Sequence, residues 1–128
     1  MLDDISESQL TGFFVGWGKP LSASQHFALL GGSSHFVAAV DGESGNVIGF
    51  VTALTDGVNS AFIPLLEVLP AYQKRGIGSE LMRGILRKLD AIPCVDLMCD
   101  AEMQTFYEKF AMFKSHGMIL RKYLGGST

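Results

Sequence analysis

The sequence predicts a mixed α/β fold in which an antiparallel hairpin and a parallel crossover share one sheet. Two β-like runs, His35–Asp41 and Asn46–Thr55, are joined by a glycine-rich turn, which is typical of a hairpin. From Ile77 onwards, apolar residues recur every four positions, which predicts an amphipathic helix. Strand character returns at Cys94–Asp100. A strand, a helix and a strand in this order predict a right-handed parallel crossover unit.

The remaining elements complete this order on both sides of the crossover. The N-terminal third favours two helices, at Gln9–Val15 and Ser22–Leu30. Ala61–Leu69 is the third strand of an antiparallel meander, because short turns separate it from the hairpin. A helix at Ala101–Phe110 and a strand at Gly117–Tyr123 end the series.

Pro64 lies inside the third predicted strand. Proline has no N–H to donate, so the hydrogen-bond ladder must be interrupted there by a bulge or a free edge. A simple irregularity near the start of the strand is the alternative.

Composition indicates one globular domain of 128 residues, since 48 % of the residues are apolar and 18 % are charged. The net charge of −3 argues against broad nucleic-acid binding. The sequence shows neither a membrane-spanning apolar run nor a secretory signal. We therefore expect a cytoplasmic protein without nucleic-acid or membrane partners.

The cysteines and histidines suggest no covalent or metal site. Cys94 and Cys99 are five residues apart, an odd offset that puts side chains on opposite faces of a regular strand, so buried free thiols are favoured over a disulfide. His26, His35 and His116 lack ligand spacing, so no metal is expected.

The turn between the third strand and the amphipathic helix carries the strongest chemical signal. Gly76 and Gly78 bracket the first helical residue, where unpaired N–H groups and the helix dipole attract anions. Lys74 and Arg75 add positive charge, so the turn suits a phosphate or pyrophosphate. It matches no dinucleotide fingerprint, because the position of the third glycine is Leu81.

Two signatures resemble those of the GCN5-related N-acetyltransferase (GNAT) superfamily. The first, Gln/Arg-x-x-Gly-x-Gly/Ala after a strand, stands here as Gln73–Gly78 behind Leu66–Pro70. The second, a polar residue seven positions before the tyrosine of Phe-Tyr-x-Lys, stands as Asp100 and Phe106–Phe110, although asparagine is more usual at the first position. Together they cover residues 46–123.

The resemblance implies a mostly antiparallel twisted sheet with a β-α-β acyl-CoA-binding core and flanking helices. Residues 1–128 would form one domain, with residues 61–100 as the core and helices within residues 5–31 on the acceptor side. The third strand and Cys94–Asp100 would splay apart, and acetyl-CoA would bind as co-substrate without a metal. The cofactor-binding residues implied are Leu66, Val68, Gln73, Lys74, Arg75, Gly76, Ile77, Gly78, Ser79 and Asp100, with the Leu66 amide polarising the thioester carbonyl.

The same resemblance points to two catalytic side chains. Tyr107 matches the tyrosine that faces the thioester sulfur and is the candidate general acid, although packing on its helix is the alternative. Glu67 is the only ionisable side chain in its strand and is the candidate general base. By strand parity Glu67 could instead point away from the groove, which leaves Asp100, Asp96 or water as the base.

The acceptor is the least defined part of the prediction. Phe13, Phe14, Trp17 and Phe27 would either form an aromatic wall for it or belong to the core. We expect an N-acetyltransferase that acts on a primary amine of a small molecule or protein by direct attack in a ternary complex. A non-catalytic acyl-CoA sensor is the alternative. A homodimer is plausible because the usual first strand is not recognisable, which leaves a sheet edge to cover.

Overall fold

The structure is a computed structural model that describes residues 5–14 and 16–124. The chain divides into two compact units, one through Met98 and one from Cys99. The second unit contains one short helix, α3 (Gln104–Glu108). The elements of the first unit are α1 (Ala23–Gly32), β1 (His35–Val40), β2 (Val47–Thr55), β3 (Ser60–Ile63), β4 (Leu66–Val68), α2 (Ile77–Lys88) and β5 (Cys94–Leu97).

The sheet belongs to the first unit and has mixed strand directions. Strand β2 pairs antiparallel with β1, β3 and β4, whereas β3 and β5 are parallel. Helix α2 lies in the chain between these two parallel strands, as the crossover prediction requires. The mostly antiparallel α/β fold, the hairpin and the amphipathic helix are therefore confirmed.

The third predicted strand is broken where proline requires it. Pro64 and Leu65 separate β3 from β4, and the Thr52 N–H donates to the Leu65 carbonyl at 3.0 Å, so the ladder to β2 resumes there. The consequence is that β3 pairs with both β2 and β5, whereas β4 pairs, among the strands that the structure describes, with β2 alone.

Helix α2 covers one face of the sheet, which we call the α2 face. A Cβ added to Gly49 on β2 would lie 3.1 Å from a methyl group of Leu81, and one added to Gly84 would lie 3.3 Å from Val37 on β1. Val51 shares this face, because it is two residues from Gly49. Helix and sheet are so close at these two glycines that an added Cβ would require its neighbours to shift by a few tenths of an ångström.

The N-terminal segment and α1 cover the opposite face, which we call the N-terminal face. Phe50 and Thr52 on β2 point to it, and the register places Glu67 of β4 opposite Phe50. Phe50 packs with Leu10, Phe14 and other apolar residues in one buried cluster. This face is therefore built from aromatic and aliphatic side chains of the first fifty residues.

Two predicted elements are wrong. Of the helix predicted over residues 9–15, the described part contains only the end of a 3-10 turn, Glu7–Gln9, and Val15 lies outside the described residues. Gly12 and Phe14 have φ angles of 86° and 66°, which a right-handed helix cannot accommodate. The strand predicted over residues 117–123 is likewise absent, because residues 117–121 lack regular structure and Lys122–Leu124 is a 3-10 turn. Its apolar residues form a single run without the alternation that fixes a strand.

Three further observations concern the sequence predictions. The predicted strand at residues 94–100 is shorter than expected, since β5 ends at Leu97. Cys94 and Cys99 are free thiols, but the prediction that they are buried is wrong, because both are exposed on segments that leave the core. Within the described residues, no helix is long and apolar enough to cross a membrane.

Candidate active site

One edge of β4 carries peptide groups that the sheet does not use. Leu65 and Leu69 each share a hydrogen bond with β2, at 3.0 and 2.8 Å. Alternate residues of an antiparallel ladder direct their backbone groups to opposite sides, so the N–H and C=O groups of Leu66 and Val68 point away from β2. Among the described strands, β4 pairs only with β2. Leu66 and Val68 therefore offer an open edge to an extended ligand.

Two features shape this open edge. The parallel pairing of β3 and β5 ends at Ile63 and Leu97, in agreement with the predicted divergence of the two strands. The carbonyl of Val68 accepts a hydrogen bond from the side-chain nitrogen of Gln73 at 2.9 Å. Gln73 therefore ties the loop before α2 to the end of β4, a role that the signature alone did not reveal.

The N-terminus of α2 lies at the other end of that loop. Gly76 is its N-cap, with a φ of 82° and no side-chain cap. Within the described part of the chain, no atom beyond its immediate chain neighbours and the helix backbone lies within 4 Å of an added Cβ. Lys74 also adopts a left-handed conformation, with a φ of 65°. When left-handed and right-handed residues alternate, successive backbone N–H groups point to the same side of the turn. Together with the positive end of the helix dipole, these N–H groups favour binding of an anion.

The basic side chains of the turn remain in solvent. Lys74 and Arg75 are both exposed, and the Arg75 guanidinium lies 5.3 Å from the centre of the Tyr72 ring. A cation held over a ring keeps its charge and loses some of its freedom. Together with Ile77, Gly78 and Ser79 at the start of α2, these residues make a positive site next to the open edge.

The Glu67 side chain belongs to the N-terminal face. Its two carboxylate oxygens lie 3.0 and 2.8 Å from the backbone nitrogen of Phe14, which donates to them. Phe14 is 3 % exposed and has a φ of 66°, a conformation that costs an aromatic residue about 1–2 kcal/mol. Strain of this kind persists where the surroundings impose it, and it is frequent at functional sites.

A buried histidine lies next to this contact. His26 is 1 % exposed, and its ring centre lies 4.3 Å from that of Phe50, 5.1 Å from Phe13 and 5.0 Å from Phe14. Burial lowers the pKa of His26 to about 4, so the imidazole is neutral at pH 7. Its Nε2 atom has no hydrogen-bond partner among the described residues. An unpaired buried polar atom costs about 1–3 kcal/mol.

Tyr107 and Asp100 belong to the second unit. Tyr107 is half-buried on α3, 5.0 Å from the Phe106 ring, and burial, then the nearby Cys99, raises the pKa of its phenol to about 12. Asp100 is exposed and precedes the 3-10 turn Ala101–Met103.

The remaining residues that the sequence suggested for the site lie on different segments of the chain. Asp96 is exposed on β5, Trp17 is 44 % exposed, and Phe27 is half-buried on α1. Sequence reasoning missed His26 as a site residue, because a single histidine without ligand spacing carries no signal. It also missed the Phe14 N–H, since a backbone donor aimed by an unusual φ is invisible in the sequence.

An open strand edge beside a helix N-terminus with exposed basic residues has the chemistry that an extended ligand with an anionic group requires. The sequence profile of the Acetyltransferase (GNAT) family matches residues 2–112. The chain therefore belongs to the GNAT acetyltransferase family, and it is an acyl-CoA-dependent acetyltransferase by membership. A comparison with curated proteins finds no match.

Solved structures agree with this assignment. A candidate acetyltransferase from Deinococcus radiodurans R1 is 41 % identical, with a TM-score of 0.92 over 96 % of this chain and 85 % of that one. A GNAT family acetyltransferase from Streptococcus pneumoniae TIGR4 is 28 % identical, with a TM-score of 0.71 over 94 % and 89 %. AAC(6')-Iy, in complex with a bisubstrate analogue that contains CoA, is 15 % identical and shares the fold, with a TM-score of 0.61 over 90 % and 88 %.

Proposed function

We propose that this protein is an N-acetyltransferase that moves the acetyl group of acetyl-CoA to a primary amine of a small molecule or protein, by direct attack in a ternary complex. The observation that carries the proposal is the open edge of β4 beside the positive N-terminus of α2. A single domain over residues 1–128, a homodimer and a cytoplasmic location stay predictions.

The residues of the first unit suit the two ends of acetyl-CoA. The N–H and C=O groups of Leu66 and the N–H of Val68 would bind the pantetheine arm as a neighbouring strand would. Backbone amides from Arg75 to Ser79, with the charge of Lys74, would bind the pyrophosphate. The open space at Gly76 allows a phosphate to approach the backbone closely.

The reaction needs placement more than covalent help. Acetyl-CoA supplies an acetyl group on a thioester carbonyl, which the Leu66 N–H would polarise. The amine nitrogen bonds to the acetyl carbon, the carbon–sulfur bond breaks, and the amine loses one proton while sulfur leaves as a thiolate. Holding both reactants in one groove provides much of the acceleration.

Glu67 and Tyr107 are proposed for the two proton-handling roles. Glu67 would accept the proton of the amine, directly or through water, while the Phe14 N–H holds its carboxylate in place. Tyr107 stays protonated through the neutral range, because the pKa of its phenol is about 12. Complete transfer to a thiolate of ordinary basicity, whose thiol has a pKa of about 8.5, is uphill by roughly 5 kcal/mol. Its favoured contribution as general acid is therefore a hydrogen bond to the departing sulfur.

Calorimetric titration with acetyl-CoA tests the proposed cofactor site. Arg75→Glu reverses a charge at the N-terminus of α2, and we expect it to weaken binding about tenfold or more. Arg87→Glu makes the same change on the exposed face of the last turn and serves as the control. Equal weakening by both variants would remove the pyrophosphate site from this turn. No binding by the intact chain would overturn the proposed function.

A non-catalytic acyl-CoA sensor is the second candidate. One observation favours it: the proposed base, Glu67, already accepts a structural hydrogen bond from Phe14. A sensor would bind acetyl-CoA without turning over any amine, and replacement of Tyr107 by Phe would then have no activity to lower. In an enzyme, Tyr107→Phe lowers turnover and leaves the affinity for CoA nearly intact.

A further inference from the structure

A cleft of about 270 Å³ opens between residues 10–14 and the start of α1. Its lining consists of residues 10–14, residues 21–23 and His26, and we call it the N-terminal cleft. Among the described residues that form this lining, none has an acidic or basic side chain except His26, which is neutral. An engineered cavity of about 150 Å³ holds benzene, so the N-terminal cleft has room for a ring with a short arm.

The histidine in this lining is costly to the fold. Its Nε2 is shielded from solvent and unpaired, although three aromatic rings surround it. A leucine would fill the position without an unpaired nitrogen. The fold therefore tolerates a destabilising group at a point where a cleft begins, and a ligand that pairs with the nitrogen removes the cost.

Phe14 is shared by the cleft and by the contact that holds Glu67. Phe14 forms part of its wall, and the N–H of the same residue donates to Glu67 on β4. The neighbours of Glu67 in β4 are Leu66 and Val68, whose backbones form the open edge. Phe14 therefore joins the wall of the cleft to the carboxylate proposed to receive the proton of the amine.

We propose that the N-terminal cleft binds the non-reacting part of the acceptor amine, and that this part is an uncharged ring carrying a hydroxyl group that hydrogen-bonds to His26 Nε2. This inference rests on the proposed function. A hydroxyl both donates and accepts, so it pairs with either tautomer of the neutral imidazole. Nε2 is shielded from solvent, and the half-buried ring of Phe13 is one of three rings that pack against His26, so binding requires these residues to rearrange around the nitrogen.

Steady-state acetylation of three probe amines tests the acceptor class. Tyramine and phenethylamine differ by one phenolic hydroxyl, and putrescine carries a second cation instead of a ring. We expect kcat/KM to fall from tyramine to phenethylamine by about tenfold and to be lowest for putrescine. In His26→Leu the ratio of tyramine to phenethylamine should fall to about one, whereas His26→Gln should keep part of the preference.

Thr52→Val is the matched control for these variants. It removes the other buried polar atom that lacks a partner, the Thr52 hydroxyl, on the same face of the sheet but outside the N-terminal cleft. The ratio of the two aromatic amines should stay at the wild-type value. A preference for putrescine in the wild type, or an unchanged ratio in His26→Leu, would overturn the inference and leave the proposed function standing.

A binding measurement makes the test independent of turnover and of variant folding. In the wild-type protein labelled with ¹⁵N, tyramine should shift the imidazole nitrogen signals of His26, and phenethylamine should shift them much less. If tyramine leaves those signals unmoved, the inference is wrong whichever amine is acetylated. A clear shift of the His26 signals in a protein that does not bind acetyl-CoA would overturn the proposed function but would still support the cleft as a ligand site.

Discussion

The two faces of the sheet share the same strands but differ in packing and in backbone strain. On the α2 face, Gly49 and Gly84 bring helix and strands so close that an added Cβ would lie 3.1–3.3 Å from its neighbours. Packing of this density is ordinary for a protein interior and stabilises the fold. On the N-terminal face, residues 10–14 and the start of α1 form a cleft, and the backbone of Phe14 is strained.

Buried polar atoms without a hydrogen-bond partner also distinguish the two faces. The structure gives two buried side-chain atoms without a hydrogen-bond partner among its described residues, and both His26 Nε2 and the Thr52 hydroxyl belong to the N-terminal face. Buried polar atoms without a partner lower stability, and among the described residues they occur on the N-terminal face alone. This distribution indicates that the N-terminal face has a function besides stabilising the fold. The comparison predicts that substitutions on the α2 face change stability, whereas those around Glu67 and His26 change chemistry or its dependence on pH.

The largest effect is expected from Glu67→Gln. The amide oxygen of glutamine still accepts the Phe14 N–H, but glutamine cannot take a proton. We expect kcat/KM for the best amine to fall about 100- to 10,000-fold, the usual contribution of a general base, while the free energy of unfolding changes by less than about 1 kcal/mol. Steady-state kinetics and urea unfolding measure the two quantities on the same sample.

Glu67→Ala completes this test, because alanine leaves the buried N–H of Phe14 without its acceptor. It should lose activity as Glu67→Gln does and also about 1–3 kcal/mol of stability. Full activity in Glu67→Gln would assign Glu67 a purely structural role and would make water the base.

On the α2 face, Ile85→Ala should have the opposite profile. Ile85 is fully buried, and its truncation removes contacts and leaves a cavity, which costs about 2–5 kcal/mol. We expect the urea midpoint to fall and kcat/KM at 15 °C, where the variant is still folded, to stay within about twofold. Arg87→Ala, exposed on the same helix, is the control and should change stability by no more than about 0.5 kcal/mol. A large loss of activity in the folded Ile85→Ala protein would mean that the two faces are coupled.

The sequence reveals the α2 face more fully than the N-terminal face, for physical reasons. Residues such as Leu81 and Ile85 recur every four positions, and this period alone fixes the helix and its buried side. The break at Pro64 follows from a missing N–H, and the glycines around Ile77 predict the proposed anion site. Each of these depends on neighbours in the chain.

The N-terminal face depends on contacts between distant residues. The Phe14 N–H meets Glu67 across 53 positions, and a left-handed φ at an aromatic residue has no local signature. The helix predicted over residues 9–15 is wrong for this reason, since apolar spacing does not reveal a backbone that tertiary contacts hold in another conformation. His26 shows the same limit, because only the three-dimensional neighbours reveal that it is buried and unpaired.

The last prediction concerns the stability of the protein in acid. Unfolded histidine has a pKa of 6.5, and burial lowers the pKa of His26 to about 4. The folded state therefore binds its proton less readily than the unfolded state. The corresponding stability is complete above pH 6.5 and is lost as the pH falls toward 4, by an amount on the order of 3 kcal/mol. Urea unfolding at pH 7 and at pH 4 measures the loss.

The variant His26→Leu isolates the contribution of His26, because the free energy of unfolding of this variant should change much less between pH 7 and pH 4. Asp41 and Asp56 do not confuse the result, because hydrogen bonds from Ser44 to Asp41 and from the backbone of Val58 to Asp56 hold the pKa of each carboxyl below its ordinary value of 3.8. The stability that these carboxyls contribute is lost mostly below pH 4, and His26→Leu retains both of them, so they affect the two proteins alike. If the wild type and His26→Leu lose stability in parallel between pH 7 and pH 4, then His26 accepts a proton in the folded state at little cost. The N-terminal face would in that case be more hydrated and less tightly packed than its aromatic contacts indicate. The contrast between the two faces would then rest on the strained backbone of Phe14 and on the cleft.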